Sequence, residues 1–147
     1  MGIRRSLKPA AFLAVAITAC GQPTAPTSGD LAAHRTIWLE KAPSHYSYQY
    51  EITGFFNALD GKPMTLEVRQ DTVRSATFTQ TGQPVPGSPA GLPTVDDLFI
   101  FASNMLENHW LGSIVFDPRF GYPVQMDIDG PPDASGTVLA TAFQQLP

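Results

Sequence analysis

The chain has 147 residues, a formal net charge of −4 and a single cysteine beside 14 prolines and 12 glycines. This length holds one domain of ordinary size, and an acidic balance without basic runs argues against a nucleic-acid partner and against electrostatic adhesion to anionic lipid. One cysteine excludes a disulfide framework, so packing must stabilise the fold, and nine Phe, four Tyr and two Trp are available for it.

In chain order, Arg4, Arg5 and Lys8 precede an apolar run from Ala10 to Ala19, which ends at Cys20. This is the layout of an export signal. The run is about half the roughly 20 residues that a helix needs to cross a bilayer, so cleavage and not spanning is expected. Ile17-Thr18-Ala19-Cys20 resembles the bacterial lipoprotein box, in which cleavage falls just before the cysteine and the sulfur is acylated. An exported chain with a lone thiol is accounted for if lipidation, of the palmitate type, consumes that thiol. Arg4-Arg5 also hints at twin-arginine export. Gly21 to Gly29, polar and rich in breakers, reads as a tether. The expected organisation is a signal peptide over 1–19, a lipidated cysteine with flexible tether over 20–29, and a single α+β domain over 30–147.

Asp30 is placed to cap a helix running to about Lys41, with Leu31, His34, Ile37, Trp38 and Lys41 at helical spacing and Pro43 as its stop. His34 is expected to flank Trp38. From Tyr46 the period changes to two, with Tyr46, Tyr48, Tyr50 and Ile52 on one side and Ser47, Gln49, Glu51 and Thr53 on the other. The tyrosine row raises a ligand-stacking reading, against which stands ordinary sheet packing of aromatics. Asp60-Gly61 signals a turn. Met64, Leu66 and Val68 then alternate with polar neighbours, and Gln70 to Thr72 connects to Val73–Thr79, predicting a three-stranded antiparallel meander. Thr81 to Pro93 reads as a surface loop.

Thr94-Val95-Asp96-Asp97 has the form of a capping box with aspartate in the glutamate position. Val95, Leu98, Phe99, Ala102, Met105, Leu106 and Trp110 make an amphipathic stripe to about His109, with Phe101 off it. Gly112 to Asp117 reads as a strand. Pro118-Arg119-Phe120-Gly121 forms a hairpin loop with Gly121 left-handed, and the return strand has Val124, Met126 and Ile128 on one side and Gln125, Asp127 and Asp129 on the other. Pro123 lacks a ladder donor and is expected at an edge or facing outward. Thr137 to Leu146 is predicted as a last strand with a less regular pattern.

Asp127, Asp129 and Asp133 surround a glycine-containing turn, the ligand chemistry that calcium uses. Their spacing lacks the full ligand run and the distal glutamate of the usual calcium loop, which favours a solvated strand face. For catalysis the chain offers His34, His45 and His109, none of them in a nucleophile, zinc or phosphate-loop motif.

Three segments in order, "HYSYQY", "TVDDLFIF" and "VFDPRFGYPVQMDID", resemble a domain-of-unknown-function family of small bacterial secreted proteins and lipoproteins. That family is marked by a Tyr-x-Tyr strand, a Thr-x-Asp-x-Leu-Phe helix and a Gly-Tyr-Pro hairpin. The resemblance covers roughly Trp38 to Asp133. Gly54-Phe55-Phe56 stands where many relatives have Cys-Phe-Cys, so no thiol role carries over, and Phe116 replaces the usual tyrosine. The resemblance implies a fold but no catalytic residue.

The expected fold is therefore α+β: an antiparallel sheet of five or six strands with two helices packed on one face, in the order helix, three strands, helix, two or three strands. The two helix-plus-strands halves suggest a duplicated unit. The expected function is a membrane-anchored cell-envelope lipoprotein without enzymatic activity or cofactor. Its contacts would be the membrane through its lipid and an envelope protein partner, with no nucleic acid. The alternative is a small-ligand or divalent-cation module using Asp127 and Asp129.

Overall fold

The structure, a computed structural model, describes residues 25–54 and 58–147. The leader, Cys20 and the first part of the tether lie outside the described residues, as do Phe55 and Phe56. Among the described residues no helix is long and apolar enough to cross a membrane.

Helix α1 spans Ser28–Lys41. Its cap is Thr27 and not Asp30: Thr27 Oγ1 accepts the Asp30 N–H at 3.2 Å, and the Asp30 carboxylate, three residues in, accepts the Thr27 N–H at 3.2 Å. This reciprocal box satisfies two otherwise free donors and starts the helix two residues inside the expected tether. Helix α2, Val95–Glu107, begins with the same device as foreseen, Thr94 exchanging bonds with Asp97 at 3.3 and 2.8 Å. It stops at Asn108, because His109 adopts φ 60° and turns the chain into the next strand.

Strands β1 (His45–Thr53), β2 (Met64–Arg69) and β3 (Val73–Phe78) precede α2, and β4 (Leu111–Phe116), β5 (Pro123–Ile128) and β6 (Gly136–Gln145) follow it. Together they form one antiparallel sheet in the order β3-β2-β1-β6-β5-β4. Each half is a meander, and the halves join where the first strand pairs with the last. At that junction β1 meets β6, and the internal strand order is the same in each half.

Both helices cover one face, which buries the apolar side of every strand. Tyr46, Tyr48, Met64, Leu66, Val68, Met126, Ile128, Val138 and Ala140 meet Trp38, Val95, Leu98, Phe99 and Ala102 there. The helices are tied to each other by Trp38, whose Nε1–H donates to the Asp96 carboxylate at 3.2 Å. They are tied to the sheet by Tyr46, whose phenol oxygen accepts the Val95 N–H at 3.2 Å, and by Tyr48, whose hydroxyl donates to the Pro93 carbonyl. His34, one helical turn before Trp38 on α1, stacks its ring on Phe116 of β4 at 3.8 Å and 4°.

Two irregularities place the aromatics. In β6, Ala142 adopts φ 50° and the pairing with β1 shifts between Ser47 and Gln49. The extra residue reverses the alternation, so Phe143 follows Val138 and Ala140 onto the helix face and meets Trp38 at 5.8 Å, Tyr122 at 5.1 Å and Phe120 at 4.9 Å. In the β4–β5 loop, the Asp117 carboxylate accepts the N–H groups of Arg119 and Phe120 at 2.9 and 2.6 Å, and Gly121 takes the expected left-handed conformation at φ 78°. This folds the hairpin against α1, where Lys41 Nζ donates to the Arg119 carbonyl at 2.9 Å. Pro123 is buried and not at an edge strand; as the first residue of β5 it lies before the stretch that pairs with β6, so its missing donor costs no ladder bond there.

Candidate functional site

The face of the sheet without helices is polar. Since Tyr46, Tyr48 and Tyr50 point to the helices, the alternate residues His45, Ser47, Gln49 and Glu51 point away. The register sets Arg69, Glu67 and Thr65 beside His45, Ser47 and Gln49. On the other side, Leu139 and Thr141 lie beside Glu51 and Gln49, and Asp127 lies beside Thr137. Hydroxyls, amides and carboxylates thus surround Leu139 on this surface, and two of the carboxylates are held by donors.

Glu67 is the first. His45 Nε2 lies 2.8 Å from its Oε1 and Ser75 Oγ donates to its Oε2 at 3.2 Å. The hydrogen bond from His45, followed by that from Ser75, holds the Glu67 carboxyl below its ordinary value. The other imidazole nitrogen, Nδ1, lies 2.7 Å from the Pro147 carbonyl oxygen and 3.4 Å from Arg69 Nη2. The Ser75 hydroxyl points to the carboxylate and not to the imidazole, so this is no activated nucleophile. A cleft of about 420 Å³ opens beside the cluster between Pro43–His45, Arg69–Gln70 and Leu146–Pro147. Its wall includes the β2–β3 turn, where Gln70 and Asp71 hold φ 49° and 53°, a conformation unusual without glycine. The Gln70 N–H donates to the Ser44 carbonyl at 2.9 Å, which pins that turn to the entry of β1.

Asp127 is the second. Ser113 Oγ, Thr137 Oγ1 and Gln125 Nε2 surround its carboxylate at 2.6, 3.1 and 3.2 Å. The Ser113 bond, then those of Gln125 and Thr137, keeps its carboxyl below the ordinary value. Each donor comes from β4, β5 or β6, so the sheet register itself builds the cluster.

The expected calcium ligands do not converge. Asp127 is engaged by these neutral donors, Asp129 lies over Gly112 at the end of β5, and Asp133 is exposed in the turn before β6. Among the described residues no group of three or more His, Cys, Asp or Glu side chains could hold a metal ion. The tyrosine row is no ligand platform either: all three rings are buried under the helices, Tyr48 completely. Of the three histidines, His45 joins the Glu67 cluster, the half-buried His34 stacks on Phe116 at the margin of the core, and His109 is exposed in the turn after α2. The His45–Glu67 pair escapes sequence reasoning because its members are 22 residues apart. Their phase on the polar sides of β1 and β2 was visible, but not the register that joins them.

Neither the comparison with curated proteins nor that with solved structures finds a match. The model of a family of unknown function (DUF6174) matches residues 30–144, from the first turn of α1 to the end of β6, and so takes in both helices, every strand and both carboxylate clusters. The chain belongs to this family.

Proposed function

We propose that the chain is a bacterial cell-envelope lipoprotein, anchored by acylated Cys20, whose domain is a non-enzymatic binding module for an envelope protein. The observation that supports this reading best is the helix-free sheet face: a broad, mainly polar surface with Glu67 and Asp127 fixed as hydrogen-bonded carboxylates and, among the described residues on it, no group arranged to activate a nucleophile. Such a surface suits contact through hydrogen bonds more than chemistry in a cleft. The basic leader and apolar run ahead of Cys20 support the anchor.

Two measurements on the full chain expressed in a bacterium test the halves of the proposal. Mass spectrometry of the amino-terminal peptide is expected to find Cys20 acylated and the leader gone, and Cys20→Ser is expected to leave the membrane fraction. An unmodified Cys20 with an intact leader overturns the anchor. A photo-crosslinker at Gln49, in the middle of the polar face, is expected to capture the same envelope protein reproducibly. One at Ala33 on the outer side of α1 is expected not to. Equal capture at both positions overturns the assignment of the face.

A further inference from the structure

His45, the first residue of β1, has an oxygen within hydrogen-bond distance of each ring nitrogen. Nε2 lies 2.8 Å from Glu67 Oε1, and Nδ1 lies 2.7 Å from the main-chain oxygen of Pro147. A neutral imidazole carries one N–H, and only the imidazolium carries two. Glu67, whose other oxygen accepts from the Ser75 hydroxyl, accepts from Nε2 in either form and so fixes the tautomer of the neutral ring. The proton that comes and goes is therefore the one on Nδ1. That atom has a second neighbour of the opposite kind, Arg69 Nη2 at 3.4 Å. A protonated Nδ1 donates to Pro147 and repels the guanidinium. An unprotonated Nδ1 turns its lone pair on the Pro147 oxygen, which repels it, and accepts from Arg69 instead. The two partners exclude each other, and the shorter distance, to Pro147, belongs to the protonated ring.

We infer that His45 is a proton-operated latch, which holds the Leu146–Pro147 tail at the entry of β1 when charged and exchanges it for Arg69 when neutral. Both the tail and Arg69 wall the cleft of about 420 Å³, so the exchange reshapes that cleft. The frame around the ring is indifferent to its charge, being held by backbone bonds. The Gln70 N–H donates to the Ser44 carbonyl at 2.9 Å, and the Leu146 N–H donates to the His45 carbonyl at 3.0 Å and acts as the hinge of the tail. The charged groups at this corner are Glu67 and Arg69 of β2, Asp71 of the β2–β3 turn and Arg74 of β3, while β6 supplies the neutral Gln144 and Gln145. Because the closed form binds one more proton, the latch is closed at low pH and opens as pH rises through the range in which imidazoles titrate. It operates whether or not the polar face binds a partner.

NMR of the full chain carrying Cys20→Ser, from about pH 5 to about pH 8, reads both ends of the latch. The ring nitrogens of His45 and the methyl groups of Leu146 are expected to shift together with one midpoint, Nδ1 losing its proton as the tail moves. Glu67→Gln is expected to carry that shared midpoint to lower pH and Arg69→Gln to higher pH. Arg69 is exposed and Glu67 half-exposed, and a thermal melt checks that each variant keeps the fold. His45→Gln and His45→Asn, which keep a donor but cannot titrate, are each expected to hold the Leu146 signals constant over the same range. A ring that titrates while Leu146 stays fixed overturns the latch. So does a Leu146 shift that persists in both His45 variants, or a ring whose nitrogens do not change across the range.

Discussion

The hydroxyl of Tyr46 on β1 accepts the backbone N–H of Val95, the first residue of α2, at 3.2 Å. Helix α2 is thereby fixed over the sheet by a buried bond at its own first amide, one of the donors that an α-helix leaves free. Tyr46→Phe keeps the ring against Trp38 and Phe143 but strands that amide. The expected loss is about 1–3 kcal/mol, read as a lower urea midpoint with an unchanged slope.

Burial raises all four tyrosines above the ordinary phenol value of 10.0, Tyr50 and Tyr122 to about 12 and Tyr46 and Tyr48 further. A raised folded value means stability that is fully present below the unfolded value and lost as pH rises through the folded one. Stability is therefore expected to hold up to about pH 10 and to fall steeply above it. Phenolate absorbance and circular dichroism should change together in one transition. Gradual ionisation near pH 10 with the fold intact would show that the tyrosine row is open to water.

Gly121 and Gly82 separate two effects. Both hold positive φ, 78° and 67°, but a Cβ at Gly82 meets nothing within 4 Å, whereas at Gly121 it stands 2.8 Å from the His34 carbonyl oxygen and 2.9 Å from Ile37 Cβ. Gly82→Ala is expected to cost about 1–2 kcal/mol for the conformation alone. Gly121→Ala is expected to cost that plus about 1–3 kcal/mol for the overlap with α1. Equal losses in denaturant melts would show that the hairpin does not press on the helix.

At the acid end, Asp127 and Glu67 both lie below their ordinary values of 3.8 and 4.5. Depressed folded values mean stability that is present above those pH values and lost as pH falls through the folded ones. Asp127→Asn removes one of these titrations and is expected to flatten the acid limb of the pH–stability curve. An unchanged limb would assign acid sensitivity to other groups.

Because Asp127, Asp129 and Asp133 stand apart, millimolar calcium is expected to produce no binding heat and no rise in melting temperature. A saturable heat that Asp127→Asn abolishes would restore the cation reading.

The parts of the fold legible in the sequence are those whose signals are local. Thr94 and Asp97 announce α2 because a capping box is complete within four positions. Tyr46 to Ile52 announce β1 because alternation continues unbroken. Where a signal is interrupted or distant, the sequence misleads. Thr27 is the cap of α1 because it lies three positions before Asp30, yet the acidic residue draws attention to itself. The pattern of β6 looks irregular because left-handed Ala142 inverts its phase before Phe143, and no residue type marks that reversal as glycine would. The His45–Glu67 and Ser113–Asp127–Thr137 groups depend on strand register, which is set by the whole core and not by neighbours in the chain.

The place of β6 constrains how the molecule is made. Residues 136–145 are the central seam of the sheet, yet they are the last of its strands to leave the ribosome. Until they emerge, the β1–β3 meander and the β4–β5 hairpin share no strand pairing, and β1 and β5 each lack the neighbour that β6 supplies. The closing step joins segments 84 to 99 residues apart, Thr53 with Thr137 and Tyr46 with Gln145, the kind of contact that slows folding. A nascent chain therefore cannot close this sheet before its sixth strand has emerged.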